Sequence, residues 1–219
     1  MSVQGCGPDP AARSTKPPWV QDATDENAQP GSRGWKISKP ATSHEVEGYA
    51  LRTTVAPGDS LEVAASVNVP SASVSWSAYR LGFYGGTGGR LISLGGETVL
   101  GRQSPCRPRE EDGLVACGWT RSLRYHVPDD APVGAYVLKL SRQDGYESYV
   151  PFVVRNVREQ SDVLVVLATS TWAAYNNFGG TSLYEDDDDP KNPAHRAFRV
   201  SYDRPYAQQA GSGTLLSNE

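Results

Sequence analysis

From Glu47 onward the chain is written in short runs rich in Val, Thr, Tyr and Leu, separated by Pro-Gly, Gly-Gly and Asp-Asp pairs. Such punctuation admits strands and little else. In Ser60 to Val67, Leu61, Val63, Ala65 and Val67 fall on one side while Glu62 and Ser66 fall on the other. A period of two puts one face of a strand on a core. Val74, Trp76 and Ala78 alternate with Ser73, Ser75 and Ser77, and then the apolar phase slips to Tyr79, Leu81 and Phe83. A slipped phase predicts a bulge. Further strands are expected over 48–54, 90–94, 122–127, 134–141 and 146–154. About seven strands with turn signals between them predict a mainly β fold, an immunoglobulin-like β-sandwich over residues 35–157.

The flanks read differently. Residues 1–34 hold Pro8, Pro10, Pro17, Pro18 and Pro30 with few aliphatic residues, which predicts a tail and linker. Asp162 to Ala168 abandons alternation: Val163 to Leu167 is apolar throughout, as in a strand covered by helices on both sides. Residues 161–219 are therefore expected to begin an α/β layer. The residues after that strand are too few for a doubly wound sheet, so the layer reads as incomplete. In such sheets chemistry gathers beyond the strand ends, here Thr169 to Gly180.

Charge and cysteine usage narrow the partners. A net charge of -4 supplies no excess of cations for a phosphate backbone, so no nucleic-acid partner is expected. The longest apolar run, 163–168, is far below the roughly 18 residues that span a bilayer. Cys6, Cys106 and Cys117 are too few and scattered for structural zinc. Cys106 and Cys117 flank the polar stretch Arg107 to Gly113; they are expected to be bridged if the protein is exported and reduced if it is not. Val3-Gln4-Gly5-Cys6 loosely resembles a bacterial lipoprotein processing site. The compartment is thus open: cytoplasmic as written, or exported or lipid-anchored if an upstream signal is missing.

Familiar catalytic patterns are missing. His44, His126 and His195 lie in separate segments with no i, i+4 partner, and His126, beside Tyr125 and Val127, should face solvent. Gly85 to Gly89 is followed by neither a helical pattern nor Lys-Ser or Lys-Thr, so it predicts a wide hairpin and not a phosphate loop. Ser182 and His195 lack the elbow of a nucleophile pair. Glu185 to Asp189 lacks the spacing of a calcium loop and reads as a solvated surface.

Aromatic residues, asparagines and glycines crowd the stretch from Trp172 to Tyr206. Trp172-Ala173-Ala174-Tyr175-Asn176-Asn177-Phe178-Gly179-Gly180-Thr181-Ser182-Leu183-Tyr184, followed by Val200-Ser201-Tyr202-Asp203-Arg204-Pro205-Tyr206, resembles the N,N-dimethylformamidase large (beta) subunit family. Upstream, Glu26-Asn27, Pro30-Gly31, Glu47-Gly48-Tyr49, Pro57-Gly58-Asp59 and Tyr79-Arg80-Leu81-Gly82-Phe83-Tyr84-Gly85-Gly86 resemble its amino-terminal portion. The resemblance implies an amide C–N hydrolase acting on a small amide. It also implies a catalytic layer like that of glutamine amidotransferases and a mononuclear ferric iron held by two tyrosines and a glutamate. By position Tyr175 matches the first tyrosine, and Tyr184, with Tyr206 as alternate, the second. Asn176 and Asn177 become candidate substrate-binding residues. No residue after Tyr206 offers a convincing glutamate, so iron is expected only in a complete domain. The alternative reading is a non-catalytic β-sandwich that binds a ligand or decorates a surface; oligomeric state is open under both.

Overall fold

The computed structural model describes residues 23–155, 165–184 and 196–207. Cys6, the first residues of the expected two-sided strand, the acidic run Glu185 to Asp189, and His195 lie outside the described residues. Among the described residues nine strands follow a short helix: α1 (Ala23–Asn27), β1 (Val46–Ala50), β2 (Thr54–Val55), β3 (Ser60–Val67), β4 (Ser71–Leu81), β5 (Gly89–Leu94), β6 (Thr98–Gly101), β7 (Leu123–His126), β8 (Gly134–Arg142) and β9 (Glu147–Val154). A second helix, α2, spans Thr169–Tyr175.

The strands form two sheets. The smaller has order β1-β3-β7, and the larger has order β2-β9-β8-β4-β5 with β6 also paired to β4. Val63, Ala65, Val67 and Tyr125 of the small sheet share one core with Val74, Leu138, Leu140, Val150 and Phe152 of the large one. The alternating residues of the sequence are those that meet between the sheets. The register of β4 against β5 shifts between Ala78 and Tyr79, where the apolar phase slips. Gly85 to Gly88 lies in the connection between these two antiparallel strands, and His126 is exposed.

Two elements depart from expectation. Val165 to Ala168, the described part of the two-sided strand, is not in a strand, and Val165 and Val166 are 77% and 78% exposed. A strand of that kind is held by parallel neighbours, and the described residues supply none. β3 also buries more than its core face: Ala64 and Ser66 are 0% and 4% exposed. The outer side of this sheet is covered, since Tyr49 and Ala64 form a second cluster with Trp119 and Phe178. Phe178 belongs to the segment that follows α2, so that segment is seated on the back of the small sheet.

The two amino-terminal motifs meet in space. Glu26, 1% exposed, accepts from the Tyr84 hydroxyl at 2.5 Å and from Arg90 Nε and Nη2 at 2.8 and 2.9 Å. Asn27 Oδ1 accepts from the Phe83 amide at 3.1 Å. Tyr84 has a positive φ of 42°, a conformation unfavourable for a bulky side chain. Its hydroxyl bonds to Glu26 and Arg80 fix it there.

Candidate functional site

The covering segment is held by its own polar side chains. Asn176, 1% exposed, donates from Nδ2 to the Pro205 carbonyl at 2.9 Å. Its Oδ1 accepts from the amides of Phe178 at 3.2 Å and Ala207 at 2.9 Å. Arg204, also 1% exposed, donates from Nη1 to the carbonyls of Phe178 and Thr181 at 2.9 and 3.0 Å, while its Nε has no partner among the described residues. Burial pushes the guanidinium down to about 10, so it remains a cation at neutral pH, stabilised by carbonyl dipoles. The two halves of the motif, Tyr175 to Tyr184 and Ser201 to Tyr206, are thus tied together by the asparagine of one and the arginine of the other.

Their seat is the loop between the two cysteines. Cys106 and Cys117 are joined by a disulfide, with Cα atoms 4.7 Å apart. Within that loop the Gly113 carbonyl accepts from the Thr181 hydroxyl at 2.7 Å, and the Asp112 carbonyl accepts from the Phe198 amide at 2.8 Å. Cys117 donates its amide to the Asp203 carbonyl at 2.7 Å, and Gly118 donates to the Asp203 carboxylate at 3.1 Å. Gly179, with φ of 86°, lies so close that a Cβ there would stand 2.7 Å from Val115 Cγ1. Burial, with the Asp203 carboxylate nearby, raises the Tyr49 phenol well above its ordinary range. Its oxygen accepts from the Trp119 amide at 3.0 Å.

Opening the disulfide is expected to lower stability by about 3 kcal/mol. The same change should speed amide exchange across Phe178 to Ser182, because the platform loosens with the loop. Hydrogen exchange on oxidised and reduced protein measures this; equal protection in both would show that the loop holds its shape unaided.

The structure sorts the sequence candidates into three places. The rings of Tyr175 and Tyr184 stack with centroids 4.2 Å apart and planes 15° apart, and both are about half exposed, at 49% and 51%. Tyr206 is not part of that stack; its chain neighbours Pro205 and Ala207 bond to Asn176, next to Tyr175, and burial pushes its hydroxyl up to about 12. Asn176 is the buried clamp described above, whereas Asn177 lines a cleft with Phe178, Gly179 and Tyr206. Ser182 is fully buried, and its hydroxyl accepts from the Tyr184 amide at 3.1 Å.

That cleft, about 750 Å3 in volume, is lined by residues of β1 and β3 in the small sheet, by Ser148 and Tyr149 of β9 in the large one, and by the covering segment. His44 stands at its edge with a φ of 61°. Its Nδ1 is 2.7 Å from Glu47 Oε2, and the hydrogen bond to that carboxylate raises its pKa above the usual histidine value. The ring meets Phe178 edge-on at 5.6 Å. Sequence pattern passes over His44 because its partner Glu47 is three residues away across a left-handed turn, and nothing in the pattern marks that turn.

Among the described residues no three His, Cys, Asp or Glu side chains are placed to hold a metal ion, and no helix is long and apolar enough to cross a membrane.

A two-sheet β body whose smaller sheet is covered by a clamped, tyrosine-bearing segment defines a β-rich protein with its candidate chemistry outside the sheets. Residues 75–218 match the family described as N,N-dimethylformamidase beta subunit-like, C-terminal, and the chain belongs to that family. No curated protein matches it. Among solved structures, one similar chain is a Pseudomonas fluorescens alkylpurine DNA glycosylase AlkC bound to DNA containing an abasic site analog. It is 13% identical with a TM-score of 0.31, and the match covers 51% of this chain and 31% of that one. Another is a mutant β-glucosidase from Listeria innocua in complex with laminaribiose, 8% identical with a TM-score of 0.30, covering 51% of this chain and 16% of that one.

Proposed function

We propose that the protein takes part in amide C–N hydrolysis of the N,N-dimethylformamidase type, with ferric iron held by Tyr175 and Tyr184. In this reading an immunoglobulin-like sandwich carries the start of a glutamine-amidotransferase-like layer. The observation that carries it is the stacked, half-exposed pair of phenols at the two ends of a loop whose backbone is clamped by Asn176 and Arg204. Phenolates are hard donors suited to a ferric ion, and two of them presented together toward solvent fit such an ion as part of its ligand set. Bound iron would supply a polarised carbonyl and an activated water. The protein's own part is positional. Asn176 and Arg204 fix the chain on either side of the pair, and the Ser182 hydroxyl, by accepting from the Tyr184 amide, sets where the second tyrosine leaves the backbone. A glutamate completing the set is not assigned to any residue here.

The test is to load protein expressed from its natural reading frame with ferric iron and offer N,N-dimethylformamide. Iron retained through gel filtration, a visible phenolate-to-iron absorption band, and release of dimethylamine are expected. Hydrolysis without iron would defeat the metal assignment and keep the reaction. Retention of neither iron nor activity would favour the binding-module reading.

A further inference from the structure

The phenols of Tyr175 and Tyr184 are set for a reaction with each other. Their ring centroids are 4.2 Å apart and their planes 15° apart, so the rings meet face to face and not edge to face. Both are about half exposed, at 49% and 51%, so an oxidant reaches them from solvent and solvent takes up a released proton. The stack belongs to the folded segment: Asn176 and Arg204 clamp the backbone beside it, and the Tyr184 amide is fixed on the Ser182 hydroxyl. Tyr202 is the natural comparison, since it is 45% exposed and has no ring contact among the described residues.

We infer that Tyr175 and Tyr184 form an oxidative modification site, at which a one-electron oxidant couples the two rings into dityrosine. Each phenol loses one electron and one proton, and the unpaired electron of each phenoxyl spreads over the oxygen and the Cε carbons beside it. One Cε of each ring then contributes its electron to a new C–C bond. The hydrogens on those carbons leave as protons while each oxygen takes one up, which restores both phenols. The pair loses two electrons and two protons in all, and one hydrogen peroxide, acting through a haem peroxidase, takes them up as two waters. Ring radicals join through their π faces, which is how these rings already lie, and holding both partners in place turns an encounter between molecules into a step within one. The product closes covalently a loop that Asn176 and Arg204 otherwise hold by hydrogen bonds.

The test treats the dilute full chain, with no iron added, with hydrogen peroxide and a haem peroxidase. The blue fluorescence of dityrosine is expected in a product that runs as a monomer on a denaturing gel. Its mass should fall by two hydrogens, confined to the peptide that holds both residues. Tyr175→Phe and Tyr184→Phe, which keep the rings, should each lower the yield about tenfold or more, whereas Tyr202→Phe should leave it unchanged. Dityrosine found only in cross-linked dimers, a yield unchanged in Tyr175→Phe, or no dityrosine in a mixture that couples free tyrosine would each overturn the inference. Because no iron takes part, such a failure leaves the ferric reading untouched, and a protein that couples its rings but never colours with iron would keep this site and lose that one.

Discussion

Replacing Glu26 by alanine is expected to lower the unfolding free energy by about 3–5 kcal/mol. The carboxylate is 1% exposed and is the common acceptor for Arg90 and the Tyr84 hydroxyl, with Arg80 Nη1 4.0 Å away. Its loss leaves Arg90, whose side chain is only 24% exposed, partly buried without a counter-charge, and that uncompensated cation carries most of the penalty. Tyr84 would also lose one of the two hydroxyl bonds that hold it at a positive φ, and α1 would be tied to the β4–β5 hairpin by Asn27 without Glu26. Urea unfolding measures the change. Because the cost comes from the orphaned partner, Glu26→Ala combined with Arg90→Met should recover part of it. A loss below about 1 kcal/mol in the single variant would mean that the cluster is solvated in the folded protein and worth no more than a surface pair.

The same cluster separates what is legible in the sequence from what is not. Glu26-Asn27 and the Tyr79 to Gly86 stretch are visible as motifs, but nothing in a linear pattern says that one supplies the acceptors for the other. The strands are legible where burial is one-sided: β4 shows its bulge as a phase slip, and His126 shows its exposure by alternating with Tyr125 and Val127. β6 escapes the pattern because it is short, with Leu100 at 2% exposure beside Val99 at 74%. β3 reads as half-exposed because its second face is covered by residues from distant parts of the chain, Trp119 and Phe178 among them. Periodicity reports which side chains share a face; it does not report what arrives from far along the sequence to cover the other one.

The site divides in the same way. Crowding of aromatic and amide residues from Trp172 to Tyr206 marks the segment, and family resemblance singles out its tyrosines. The distribution of roles among neighbours depends on tertiary contacts instead. Asn176 and Asn177 are adjacent in sequence, yet one is a buried backbone clamp and the other lines the cleft. Arg204 stands out in the sequence only as part of a motif, although its guanidinium bonds to the carbonyls of Phe178 and Thr181 on the far side of the segment. Val163 to Leu167 misleads for the opposite reason: an apolar run signals burial, and Val165 and Val166, its described residues with the most exposure, have no sheet among the described residues to enter.

If Tyr175 and Tyr184 hold ferric iron, Tyr175→Phe should remove the visible absorption and lower amide hydrolysis by about a hundredfold or more. A lost ligand forfeits several kcal/mol of transition-state stabilisation, and each 1.4 kcal/mol or so is a factor of ten. A free phenol keeps its proton at neutral pH, so only a strongly acidic cation converts it to a ligand, and phenylalanine preserves the stacked ring while removing that one oxygen. Both rings are about half exposed, so the substitution should change the melting temperature little, and loss of colour in a stable protein separates ligation from folding. Tyr184→Phe should behave in the same way. Tyr206→Phe should do less, because Tyr206 is not part of the stacked pair and burial holds its hydroxyl protonated. Colour kept in Tyr184→Phe and lost in Tyr206→Phe would move the second ligand to Tyr206, and the stacking of Tyr175 on Tyr184 would then be packing alone. Colour and activity kept in both Tyr175→Phe and Tyr184→Phe would remove the pair from the chemistry altogether.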